Sequence, residues 1–457
     1  TAGTADFSKY VALGDSFAAG YSDGALFKAG QKNSYPNILA EQFALVGGGE
    51  FKTPYTNDNV GGLLLGGNII ATNRLYFNGS GPVPVSGVPT TEITNKVVGP
   101  INNLGIPGAK SYHLVAPGYG NIAGVASGAA NPYFARFASA SGTTVLADAL
   151  AQTPTFFSLW IGGNDVLTYA TSGGIGVNRT GNLNPATYGS NDITDPTVFA
   201  NVYTGLINAL TANGAKGVVA NLPYVTTLPY FTTVPYNPVP LTAASAVQLN
   251  AGYATYNGGL QAMVTNGLLT AAEAAKRTVK FAAGANAVVI VDSYLTNLSA
   301  YGVPSYRQAT KEDLLVLTSR TFIGTLVGGN AAAVNGVSVP LADNWVLSKE
   351  EVAEVKVATD AYNVTIKSAA DAKGLAFVDT KAIMAQLSTG GIRFGNFHIT
   401  AAYVTGGAFS LDGVHPSARG YALIANKFIE AINAKYGSNL KGVDLGLYGI
   451  QYPATIQ

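Results

Sequence analysis

Tyr10-Val11-Ala12-Leu13-Gly14-Asp15-Ser16 decides the reading of this chain. An apolar β-run stops abruptly at Gly-Asp-Ser, and small residues (Ala18, Ala19, Gly20) follow it. A short buried strand that hands over a polar residue at its C-terminal end is how open α/β sheets present reactive groups, because their crevice lies outside the carboxyl ends of the strands. On its own the tripeptide is equally ordinary turn and N-cap chemistry. The rest of the chain decides between these readings.

Outward from that stretch the same rhythm recurs. Thr155 to Ile161 is an almost continuous apolar run of strand length, ended by Gly162-Gly163-Asn164-Asp165. Ile101 to Gly108 reads as a strand running into a tight turn, and Ala109 to Val115 as the start of a helix. Lys216 to Leu222 and Leu375 to Asp379 read as further buried strands, each directly after a helical segment (199–212 and 348–373). Helix, short turn and apolar strand in alternation mark a parallel sheet. Ser348 with Glu351 three residues on forms a capping box for the second of those helices. Ser34 to Leu45, residues 141–150, a helix-rich segment from Leu241 to Arg277 and Ala418 to Tyr436 complete the helical set. Ala287 to Asp292 reads as a strand with no assigned place in the sheet. Val60 to Ala71 is too short and glycine-rich to cross a membrane and is expected in or beside the core.

Composition narrows the function. The 457 residues are 47% hydrophobic but only 11% charged, with a net charge of +1, and Gly (55) and Tyr (25) are abundant. No Lys/Arg block offers a footprint for nucleic acid. The absence of cysteine removes disulfides, thiol catalysis and Cys-ligated zinc. Three scattered histidines do not make a metal site, and no cofactor-binding glycine loop is present, so neither metal nor cofactor is expected. The low charge and the start at Thr1, without a Met or basic leader, fit an extracytoplasmic protein: periplasmic, secreted, or an outer-membrane lipoprotein stripped of its signal. Nothing in the pattern specifies an oligomeric state.

Four punctuated positions share the chemistry of acyl transfer. Ser16 is a poor nucleophile until a base takes its proton. His415 is a candidate base, and Asp412, three residues earlier in Asp412-Gly413-Val414-His415-Pro416, can fix its tautomer. The oxyanion needs preorganised donors, and the N–H groups of Ser16 and Gly108 with the Asn164 amide can supply them. Asp15 and Asp165 are expected to brace loops. His113 and His398 are expected in structural or pocket-wall roles.

These blocks, Gly14-Asp15-Ser16, Asn103 to Gly108, Gly162 to Asp165 and Asp412 to Pro416, resemble in order those of the SGNH (GDSL-type) hydrolases. The sequence as a whole is similar to secreted or lipoprotein-like bacterial members. The resemblance implies a three-layer α/β/α sandwich on a flavodoxin-like parallel sheet and a metal-free site with Ser16, Asp412 and His415 catalytic. It also implies Ser16, Gly108 and Asn164 as oxyanion donors. Phe17 stands where the family has Leu and is expected to pack. One domain over 1–457 is expected, with insertions at roughly 51–100, 166–198 and 224–345 decorating the core. The implied activity is cleavage of carboxylic esters through an acyl-enzyme, with acetyl or short acyl groups on glycans as candidate substrates. Lipid or aryl esters are the alternative, or a catalytically weak glycan-binding surface protein on the same fold.

Overall fold

The computed structural model describes all residues, Thr1–Gln457. Its centre is a five-stranded parallel sheet of β1 (Tyr10–Gly14), β2 (Asn103–Gly105), β3 (Phe156–Trp160), β4 (Lys216–Ala220) and β5 (Ala376–Val378). The spatial order is β2-β1-β3-β4-β5. This is the flavodoxin-like order, and the chain changes direction across the sheet at β1, where a ligand crevice opens. Register pairs Tyr10 with Phe156 and Gly14 with Trp160. Every residue of β1 and β3 is buried, as continuous apolar runs covered on both faces require.

Two helix layers cover the sheet. The Tyr35–Ala44 helix (α1) and the Ala418–Tyr436 helix (α5) pack together on one face. There Tyr10 meets Phe43, and Trp160 meets Tyr35 and Phe428. On the other face the Pro196–Thr211 helix (α3) packs on the Lys349–Lys373 helix (α4), joined by the stacked rings of Phe199 and Tyr362. The capping box of α4 forms as the sequence requires. The Glu351 N–H donates to Ser348 Oγ, Glu351 Oε1 accepts from the Ser348 N–H, and Gly374 closes the helix in the left-handed conformation.

Several segments differ from their sequence reading. Residues 101–108 keep only Asn103–Gly105 as strand, since Pro100 and Pro107 withhold ladder donors at both ends, and 109–115 settle into a 3-10 turn at Ser111–Val115. Asn164–Thr171 is a helix (α2) inside what reads as turn and insertion; the Gly-Gly-Asn-Asp punctuation hides a helix start. Residues 60–71 belong to a hairpin turning at Gly66-Gly67, where Ile69 and Ile70 face solvent and Leu63 is buried, so most of the run lies outside the core. Val289–Val291 pairs antiparallel with Tyr306–Gln308, away from the main sheet. Residues 392–399 form a further small hairpin.

The 224–345 insertion carries an apolar core of its own, built from residues such as Val239, Tyr253, Phe281, Val289 and Leu341. Beside this core Arg307 is almost wholly buried. Its Nε donates to Asp292 at 2.7 Å, and its two terminal nitrogens bind Asp313 in a bidentate fork at 2.7 Å each. Asp313 also accepts the N–H of Lys349 at the head of α4, which ties the insertion to the core layer. Removing the cation strands two buried carboxylates, a loss of about 3–5 kcal/mol. Arg307→Ala is therefore expected to lower unfolding stability by that amount in urea titrations. A change below about 1 kcal/mol would show that the fork contributes little.

Candidate active site

Ser16 opens a one-turn helix, Ser16–Ala19, directly beyond β1 and at the point where the strand order reverses. Asp15 caps it, accepting the Phe17 N–H at 3.0 Å, and Gly20 ends it with a φ of 88°. The turn is compact because backbones touch. A Cβ on Gly14 would lie 2.7 Å from the Trp160 carbonyl oxygen, and one on Gly105 would collide with the backbone of Ala18 and Ala19.

Asp412 and His415 lie in the turn before α5. The Ser16 Oγ is 2.7 Å from His415 Nε2, and His415 Nδ1 is 2.9 Å from Asp412 Oδ2. Both side chains of the Asp-His pair are close to seven-eighths buried. Asp412 Oδ1 accepts the N–H groups of Val414 and His415 at 2.9 and 2.8 Å, while Oδ2 also accepts the Gly24 N–H at 2.9 Å. Burial pushes this carboxyl up, but His415 and the donated hydrogen bonds outweigh it, so its pKa lies below the usual carboxylate value. Asp412 is therefore ionised at neutral pH.

Gly108 and Asn164 converge from the neighbouring strand ends. Gly108 is exposed, with φ at 87°, a conformation that favours glycine, and neither its N–H nor that of Ser16 donates within the protein. Asn164 is the first residue of α2, and its Nδ2 donates to the Ala109 carbonyl at 2.9 Å, which orients the amide and leaves its second N–H unused. Asp165 completes the junction, accepting the Ser111 N–H at 2.9 Å and the Ser111 hydroxyl at 2.6 Å. The Asn-Asp pair thus fastens α2 to the loop that carries Gly108. Asp15 and Asp165 both brace loops, as the sequence reading has it.

The other histidines lie outside this cluster. His113 Nδ1 accepts the Lys110 N–H, and its ring stacks on Tyr119 behind the Gly108 loop. Burial, then Lys110, lowers its pKa to about 4, so it is neutral. His398 is on an exposed hairpin, bonded to the Gly390 carbonyl. Phe17 packs between Trp160 and His415, at ring distances of 5.2 and 4.9 Å.

Sequence reasoning missed the segment Tyr21–Gly24, which grips the Asp-His turn. The Ser22 hydroxyl donates to the Pro416 carbonyl at 2.9 Å. The Asp23 N–H donates to Ser410 Oγ at 2.9 Å, and Asp23 Oδ1 accepts the Leu411 N–H at 2.8 Å. Asp23 is buried in the left-handed region (φ 52°), which aspartate tolerates better than most residues. Asp-Gly marks a turn in sequence, but no spacing rule links it to position 411. Asn131 was missed as well; its Nδ2 holds the Pro107 carbonyl and its Oδ1 caps the helix that follows.

A parallel flavodoxin-like sheet with a Ser-His-Asp hydrogen-bonded chain at its C-terminal edge defines an α/β hydrolase-type fold. The chain belongs to the GDSL-like lipase/acylhydrolase family, whose sequence profile matches residues 10–428, and is accordingly a carboxylic ester hydrolase. No curated protein matches it. Among solved structures it is similar to LAE5, an alpha/beta hydrolase enzyme from the metagenome of Lake Arreo, Spain. That pair is 11% identical with a TM-score of 0.35, covering 94% of this chain and 96% of that one. It is similar also to a variant of Axe2, an acetyl-xylooligosaccharide esterase from Geobacillus stearmophilus (10%, TM-score 0.35, 94% and 95%). A third is an extracellular lipase from Streptomyces rimosus (12%, TM-score 0.31, 93% and 98%). These likenesses are too slight to bear on the site or its substrate. No helix is long and apolar enough to cross a membrane.

Burial of Asp23 drives its carboxyl up to about 7, against the Leu411 N–H that favours its charge. In the unfolded chain aspartate titrates near 3.9. Between roughly pH 4 and 7 the folded protein therefore holds more protons than the unfolded one, and stability falls as pH rises through that window. Asp15, pushed to about 7 by burial, acts in the same direction. The urea midpoint is expected to drop from pH 5 to pH 8. Asp23→Asn, which keeps an acceptor for Leu411, should show a smaller drop; an undiminished drop would mean that Asp23 stays ionised throughout.

Proposed function

We propose that Ser16 is the nucleophile of this esterase, with His415 as its base and Asp412 as the group that orients the base. Support comes above all from the unbroken chain Ser16 Oγ to His415 Nε2 (2.7 Å) and His415 Nδ1 to Asp412 Oδ2 (2.9 Å), drawn from the two ends of the sequence. Ser16 Oγ adds to the ester carbonyl while its proton passes to His415 Nε2. The ionised Asp412 fixes the Nδ1–H tautomer and stabilises the imidazolium. The Ser16 and Gly108 N–H groups and the second Asn164 N–H take the oxyanion. Collapse of the tetrahedral adduct expels the alcohol, which receives the proton from His415. Water then repeats the sequence on the acyl-enzyme and releases the acid. Every proton in this cycle moves through groups of the chain itself.

The substrates we propose are acetyl or short acyl esters of glycans, met outside the cytoplasm. The 11% charge and the wealth of Tyr favour a polar, weakly charged partner of this kind. An acyl-length series on 4-nitrophenyl esters beside acetylated oligosaccharides tests the choice.

Ser16→Ala is expected to reduce ester hydrolysis at least ~10³-fold with the fold intact. Equal rates for variant and parent would remove Ser16 from the reaction. Asn164→Ala should cut kcat by ~10²–10³ with little change in KM, because a donor aimed at the oxyanion acts in the transition state. An effect confined to KM would assign Asn164 to ground-state binding instead.

A further inference from the structure

A cavity of about 70 Å³ opens beside the reacting groups. Four of its lining residues are chain neighbours of the site: Asp15 and Phe17 flank Ser16, Gly163 precedes Asn164, and Pro416 follows His415. Its depth lies between the Thr380–Thr389 helix and α5, where Met384, Leu387, Leu423 and Phe409 form the walls. Fourteen of the twenty lining residues are hydrophobic. Of the two lining side chains with oxygen atoms, Asp15 has one oxygen engaged and Thr380 its hydroxyl. Asp15 accepts the Phe17 N–H, and the Thr380 hydroxyl donates to the Asn221 carbonyl. A sugar hydroxyl entering this space would lose water and meet one free acceptor, the second Asp15 oxygen, whereas a hydrocarbon forfeits no hydrogen bond there.

We infer that this cavity is the acyl pocket of the esterase, that it takes a short unbranched hydrocarbon tail, and that Met384 helps set the chain length. The inference rests on the reading of Ser16 as nucleophile. Phe17 stands at the entrance: its ring lies between His415, which touches the serine, and Trp160, which lines the cavity. The acyl group thus points under Phe17 into the apolar space, and the alcohol portion is left on the solvent side, where a polar glycan needs no apolar pocket. Size sets the limit. An apolar cavity of about 150 Å³ takes benzene, so half that volume suits a tail of about two to four carbons. Each methylene buried there raises kcat/KM about fourfold. Methionine is a wall that bends, because its unbranched side chain repacks readily. Replacing it changes the depth of the pocket without introducing a polar group.

The test compares kcat/KM for 4-nitrophenyl acetate, propionate, butyrate, hexanoate and octanoate. The native enzyme is expected to prefer propionate or butyrate to acetate, with a decline beyond. Met384→Trp fills the cavity and should lower the butyrate-to-acetate ratio at least tenfold. Met384→Ala deepens it and should move the optimum to a longer ester. An unchanged profile in Met384→Ala, folded by circular dichroism, overturns the inference, whether or not Met384→Trp folds. A native enzyme that prefers octanoate overturns it too. Loss of the Ser16 reading has a separate signature: hydrolysis of any of these esters that survives Ser16→Ala.

Discussion

The hydrogen bond from the Gly24 N–H to Asp412 Oδ2 reaches the carboxylate of the Asp-His pair from the segment that follows Ser16, and it belongs to a small set that joins two distant parts of the chain. The parallel sheet brings Ser16, Gly108 and Asn164 to one edge, since each follows a strand of that sheet. It has no such hold on His415, which precedes the last helix and follows no strand. The link must come from somewhere else, and it comes from residues 21–24. Four hydrogen bonds from this short segment meet residues 410–416, and the Tyr21 ring lies 4.7 Å from the His415 ring. Tyr21 comes only five positions after Ser16, so a segment closely tied to the serine also holds His415. The serine-to-histidine distance is thus tied to backbone contacts close to the serine, although nearly four hundred residues separate the two in sequence.

Such a link has an electrostatic cost. Asp15, Asp23, Asp165 and Asp412 all sit at or near this edge in low-dielectric surroundings, where carboxylates are expensive unless they are paired or accept hydrogen bonds. The four meet that cost differently. Asp412 has a histidine and three N–H donors, and ends below the usual pKa. Asp15 and Asp23 have one or two donors from the backbone and stay near neutrality. Asp165 has the Ser111 N–H and hydroxyl, yet burial still raises it. Negative charge is thereby favoured on the carboxylate bonded to the imidazole, while burial raises the pKa of its three neighbours and lessens their repulsion of it.

The strands that place the site were legible because burial on both faces writes itself as nearly unbroken apolar runs, as in Val11 to Leu13 and Phe156 to Trp160. Helix α4 was legible through its cap, where Ser348 and Glu351 satisfy each other's N–H groups. Helix α2 was not, since its first turn is Asn164-Asp165, residues equally at home in a turn. The residues singled out for chemistry were recognisable by type and order, while those that hold them were not. Asp23 and Asn131 act through hydrogen bonds to backbone atoms far away in sequence, and such bonds leave no periodic trace. Apart from Val289–Val291, the small strands of residues 284–347 were illegible for another reason. Pairs two or three residues long are set by tertiary contacts, and no periodicity develops over so few positions.

The largest insertion meets the histidine turn at Gly413. Gly413 stands between Asp412 and His415 with φ at 73°, and its carbonyl accepts the Tyr230 N–H at 2.9 Å. A Cβ there would lie 2.9 Å from Leu317 Cδ2 and 3.1 Å from the Tyr230 nitrogen. Both of those residues belong to the segment 224–345. The turn that presents the histidine is therefore pressed between residues 21–24 on one side and the insertion on the other. The insertion in turn is held to α4 by Asp313, which accepts from Lys349 while it binds Arg307. Packing of the second apolar core, the buried arginine and the head of α4 thus form one mechanical path that ends at Gly413. On this path the insertion acts as a buttress for the turn, which explains how the sheet tolerates so long an excursion between its fourth strand and α4.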